Sequence, residues 1–89
     1  MMIKYTDQFK EDFKQQKQGK YKQDIEQTLF KVIQDLANHR ELTPSYKDNA
    51  ITDNWVDCRR CNIKTDLILI YREFEETLQL IRLVSYNQL

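Results

Sequence analysis

The chain predicts an α+β fold: an N-terminal strand, a helical hairpin, then three antiparallel strands, with the helices packed on one face of the sheet. Two observations carry this. The hydrophobic period changes from helical to strand-like between the two halves of the chain, and the 89 residues include a single Gly and a single Pro, Gly19 and Pro44, so turns are few and elements long. The opening "MMIKYT" alternates as a short strand does, and Thr6 followed by Asp7 makes an N-cap with an acidic first turn. The helix that follows carries Phe9 and Phe13 at i and i+4 and ends near Gly19. From Tyr21 a longer helical pattern runs through Ile25, Leu29, Val32, Ile33 and Leu36, with Asp24, Glu26, Lys31 and Asp35 off that stripe. Residues 38–54 are polar, contain Pro44 and read as a connecting loop.

Beyond the loop, "WVDCRRCNI" and "ETLQLIRLVSY" alternate approximately, while "DLILIYR" between them is a continuous apolar run. Turns fall near Lys64 to Thr65 and Glu73 to Glu76. A run apolar on both parities, such as Leu67 to Tyr71, suits a central strand covered on both faces.

A chain this short forms one domain, residues 1–89, with one modest core and no room for a deep cofactor pocket, so no cofactor is expected. Hydrophobic residues make up 40% and charged residues 31% with zero net charge, which predicts a soluble protein and excludes one coated in basic charge. Any nucleic-acid contact must therefore come from a local patch. The polar start holds no apolar signal region, so a cytoplasmic protein with no membrane partner is expected.

Cys58 and Cys61 have metal-ligand spacing, but on a strand they point to opposite faces, and a structural zinc site needs about four converging ligands. The only histidine is the distant His39. No metal site is predicted; one thiol should be buried and the other half exposed. A redox pair of this spacing belongs at a helix start, whereas this one precedes an apolar strand. The remaining donors, Arg59, Arg60 and Asn62 with Lys47 and Arg82, either converge into a patch suited to phosphate oxygens or are ordinary solvated charges.

The stretch "YKDNAITDNWVDCRRCNIKTDLILIYREFEETLQLIRLVSY" resembles the RelE superfamily of toxins from type II toxin-antitoxin systems, and within it the YafQ-like branch. It follows that branch's K-D-H-P-L loop, tryptophan strand, R-x-C-H-I-x-P-D segment, L-L-I-Y strand and final R-x-G-S-H. The pattern keeps Lys47, Asp48, Trp55, Arg59, Cys61, Asp66 and Arg82. It places Asn49, Asn62 and Tyr86 where the branch has histidines, and Arg60 where it often has an acid.

The resemblance implies a RelE-like fold and a ribosome-dependent mRNA endonuclease (mRNA interferase) neutralised by a cognate antitoxin, with ribosome and mRNA as partners and operator DNA met only through the antitoxin complex. Such cleavage uses the substrate 2′-hydroxyl as nucleophile, so the protein must accept a proton, stabilise a phosphorane and protonate the leaving oxygen. The candidate catalytic residues are Tyr86 as general acid or, alternatively, as a surface on which a base stacks, Arg82 and Lys47 for charge stabilisation, and Asp66 as the base, its orienting group or simply a turn former. Asn49, Arg59, Arg60 and Asn62 are the implied RNA-binding residues. A weakened RelE-fold module that binds its antitoxin and acts mainly in regulation is the alternative.

Overall fold

A computed structural model describes residues 2–19, 21–39, 49–50 and 58–85. Strand β1 (Met2–Tyr5) leads into α1 (Asp7–Lys17) and α2 (Ile25–Ala37), followed by β2 (Asn49–Ala50), β3 (Arg59–Lys64), β4 (Leu67–Phe74) and β5 (Thr77–Ser85). The strands form one sheet in the order β1-β5-β4-β3-β2. The last three strands are antiparallel neighbours, as expected, and β1 lies parallel to β5. The two-residue β2 pairs with β3 inside the segment expected to be loop.

Thr6 caps α1 as its sequence predicts, its hydroxyl oxygen accepting from Phe9 N at 3.0 Å while its hydroxyl donates to Ile81 O at 2.9 Å. The helical pattern expected from Tyr21 starts later, because residues 21–24 form a turn in which Tyr21 O accepts from Asp24 N and Ile25 N. Asp24, the α2 N-cap residue, makes no side-chain cap; its carboxylate pairs with Lys64 Nζ at 2.7 Å. The predicted stripe of Ile25, Leu29, Val32, Ile33 and Leu36 is buried throughout. With Phe9 it covers one face of the sheet, which contributes Cys61, Leu69, Tyr71, Leu80 and Leu83 among others.

The opposite face, called distal here, carries a smaller cluster of Cys58, Ile68, Ile70 and Val84. Leu67 to Tyr71 are all at most 1% exposed, so β4 is a central strand buried on both sides. Each such aliphatic side chain contributes about 1.5–3 kcal/mol on burial.

Strand β5 does not alternate cleanly. Its register to β4 slips between Ile70 and Tyr71, where Ile70 faces Arg82 but Tyr71 faces Leu80. Ile81 is the extra residue, and this bulge moves the helix-facing set from even positions (Leu78, Leu80) to odd (Leu83). A second slip, between Asn62 and Lys64, tucks Ile63 into the main core.

A candidate nucleic-acid interface on the distal face

Residues directly opposite one another on adjacent strands share a face, so the register maps the distal surface. One row runs from Arg60 on β3 through Ile70 on β4 to Arg82 on β5, and the backbone of Asn49 on β2 extends it by pairing with Arg60. At about 4.8 Å per strand, Arg60 and Arg82 stem from points about 10 Å apart. The neighbouring row is Asn62, Ile68 and Val84. Two cations thus flank an apolar centre.

Arg82 does not stand alone on this face. Its Nε lies 2.7 Å from Asp12 Oδ2 and its Nη2 3.2 Å from Asp12 Oδ1, and the same carboxylate accepts from Leu83 N at 3.0 Å. Asp12 is 6% exposed and comes from α1. It occupies the edge of β5 where β1, which pairs only as far as Leu80, has ended. Donation to this carboxylate raises the Arg82 pKa above its ordinary value, with the nearby negative charge adding to the effect and burial opposing it. Asp12 uses two of the guanidinium nitrogens and leaves Nη1 for a second anion.

The other predicted residues divide among three settings. Asp66 sits in the β3–β4 turn and accepts a hydrogen bond from the Tyr21 hydroxyl. Lys64 beside it bridges to Asp24 and lies 5.4 Å from the centre of the Tyr21 ring, so this turn is tied to the helical layer. Asn62 is only 8% exposed, and its side-chain N–H groups lie 3.5 and 3.4 Å from Lys64 O and Thr65 O. Its amide faces the turn instead of extending the patch. Arg59 is exposed and shares its side with Cys61 and Tyr71, so the two adjacent arginines face opposite ways. Lys47 and Tyr86 lie outside the described residues, as do Trp55 and the side chain of Asn49.

Cys58 and Cys61 belong to different clusters on opposite faces, as the strand parity predicts. The expectation that one would be half exposed is corrected: both are buried, because the distal face has an apolar cluster of its own. Among the described residues no three His, Cys, Asp or Glu side chains converge as metal ligands do, and no helix is long and apolar enough to cross a membrane. A shallow apolar groove of about 160 Å³ lies between α1 and α2, walled by Phe9, Phe13, Leu29 and Phe30, and contains none of the predicted site residues.

Two participants escaped the sequence reading. Asp12 was one of several acids on an amphipathic helix, and Tyr21 was the start of a helical stripe. Neither carries a local signal, since each acts on a residue at least 45 positions away.

The family model for the bacterial toxin YafQ of type II toxin-antitoxin systems matches residues 1–89. Among solved structures, the chain is similar to a metal-bound toxin from Helicobacter pylori, with 33% identity and a TM-score of 0.85 over 100% of this chain and 98% of that one. It is similar to YafQ from E. coli strain BL21(DE3), with 26% identity and a TM-score of 0.86 over 97% and 93% of the two chains. It is also similar to a chain of the E. coli DinJ-YafQ complex, with 26% identity and a TM-score of 0.84 over 98% and 94%. No functionally curated protein sequence matches.

Proposed function

The chain belongs to the YafQ family of bacterial toxins from type II toxin-antitoxin systems, and from that premise we propose that residues 1–89 act as one toxin domain that cleaves mRNA on the ribosome. The observation that carries this reading is the row of Arg60, Ile70 and Arg82, which aims two cations to the same side of the sheet although the chain as a whole has zero net charge. Phosphate is the ligand that such a pair suits.

In the proposed reaction the 2′-oxygen of the substrate bonds to phosphorus and the bond from phosphorus to the 5′-oxygen breaks, leaving a 2′,3′-cyclic phosphate and a 5′-hydroxyl. The proton of the 2′-hydroxyl goes to Asp66 or to a group that Asp66 orients, and Tyr86 gives a proton to the departing 5′-oxygen. Arg82, held by Asp12, and Lys47 stabilise the charge on the phosphorane. Arg60 and Asn49 hold the strand, while Arg59, on the other side of β3, and Asn62, whose amide faces the β3–β4 turn, act only indirectly. With no histidine at these positions, positioning and charge stabilisation carry a larger share of the rate than proton transfer.

The partners on this reading are the ribosome with its mRNA in the cytoplasm, and a cognate antitoxin, as in the E. coli DinJ-YafQ toxin-antitoxin complex. The antitoxin is a segment with acidic residues that meet Arg60 and Arg82, and operator DNA is contacted only through the complex. The second reading, a weakened module that binds antitoxin and acts in regulation, is favoured by Asn62, which stands where the YafQ-like pattern has a histidine and whose amide is turned into the β3–β4 turn.

Expression without an antitoxin tests the first reading. The unaltered chain should arrest growth, and Arg82→Ala combined with Tyr86→Phe should relieve the arrest. A double variant as toxic as the original would overturn the residue assignment, and an unaltered chain that never arrests growth would leave the regulatory reading.

A further inference from the structure

The distal face continues past Arg60 and Arg82 toward the β4–β5 turn. The next row is Lys4, Gln79 and Arg72, and the one after it is Met2, Thr77 and Phe74. None of the described strand positions on this side carries a carboxylate, although the whole chain has as many acids as bases. The guanidinium carbon of Arg72 lies 4.9 Å from the centre of the Phe74 ring, and that ring is 51% exposed. The Arg72 Nε is buried and has no hydrogen-bond partner among the described residues. A buried N–H without an acceptor is costly, so the Arg72 side chain gains by turning outward to a phosphate oxygen. An exposed aromatic ring beside a cation also offers a surface on which any base can stack, the combination that single-strand binding sites use.

We propose that Arg72, Phe74 and Lys4 form a second RNA subsite, which takes a phosphate and a stacked base of the strand whose scissile phosphate lies at Arg82. This rests on the nuclease reading above and extends its substrate contacts by one step along β4. Arg72 lies two residues from Ile70, about 7 Å, a length that one nucleotide of an extended single strand covers. The distal face then reads a single strand running from the Arg82 row toward the hairpin.

The test uses the whole protein and a fluorescent 2′-O-methyl RNA oligonucleotide, which lacks the nucleophile and so cannot be cut, titrated at several salt concentrations. Phe74→Ala should weaken binding about tenfold and leave the salt dependence unchanged. Arg72→Gln should weaken it and lower the logarithmic salt slope by about one, whereas Arg72→Lys should restore the slope. Thermal unfolding of each variant checks that the sheet is intact. If Arg72→Gln and Phe74→Ala both bind as the original while Arg82→Ala binds weakly, the subsite is wrong and the nuclease site stands. If Arg82→Ala also binds unchanged, or the original shows no saturable binding, the nuclease reading falls and the subsite with it. Loss of antitoxin binding with RNA binding intact would assign these residues to the protein partner and overturn the proposal.

Discussion

Arg82 is placed by a residue 70 positions earlier, and that dependence sets its chemistry. Its pKa is raised in the folded state, so the pair with Asp12 contributes stability in full below the ordinary arginine value and loses it only as pH rises through the higher folded value. Across any working range Arg82 therefore keeps its charge. The sole histidine, His39, follows α2 and is none of the proposed site residues. Cleavage on programmed ribosomes between pH 6 and 8 should accordingly show no inflection near 6.5, the region where an imidazole titrates. A clear inflection there, abolished by His39→Gln, would mean that an imidazole takes part and that the proposed proton carriers are incomplete. At this scale, the family resemblance supplied Arg82, and parity along β3 separated Arg60 from Arg59, whereas the side that Arg82 takes depends on the bulge at Ile81. The partnership of Asp12 with Arg82, and of Tyr21 with Asp66, was not legible because helix and strand meet only in the folded chain.

Among the elements, α1 completes the sheet where β1 stops. Thr6 donates to Ile81 O and Asp12 accepts from Leu83 N, so helix α1 pairs with the outer edge of β5 just beyond the β1 register. Asp12→Ala should therefore lower stability by about 1–3 kcal/mol, the usual cost of leaving a buried donor unpaired, seen as a lower urea midpoint with an unchanged slope. A midpoint equal to that of the original would show that solvent satisfies Leu83 N as well as the carboxylate does. The long stripe of α2 and the apolar run of β4 were plain in the sequence, since each repeats a period over several residues. The bulge at Ile81 was not, because a single inserted residue changes which parity faces the helices while leaving composition untouched. It explains why β5 looks only approximately alternating. The two residues of β2 pair too briefly to leave a periodic trace, so their sequence has the character of a loop.

At the scale of the whole molecule, a chain with zero net charge keeps cations on the distal side of its sheet and packs its helices over the other. Composition could only require that any basic patch be local. The strand register locates it, placing Lys4, Arg60, Arg72 and Arg82 on a common side. The fold class followed from the period change along the chain, whereas the parallel pairing of β1 with β5 joins the two ends of the chain and leaves no mark in either one. Membership of the YafQ family rests on a match across residues 1–89, including the first half, where the sequence pattern itself was sparse. The central claim is that this toxin cuts mRNA and that Arg82 is needed for the cut. Primer extension on mRNA from cells expressing the chain tests it most directly: the account predicts codon-phased cleavage that disappears with Arg82→Ala, and either uncut mRNA from the original chain or undiminished cuts from the variant would contradict it.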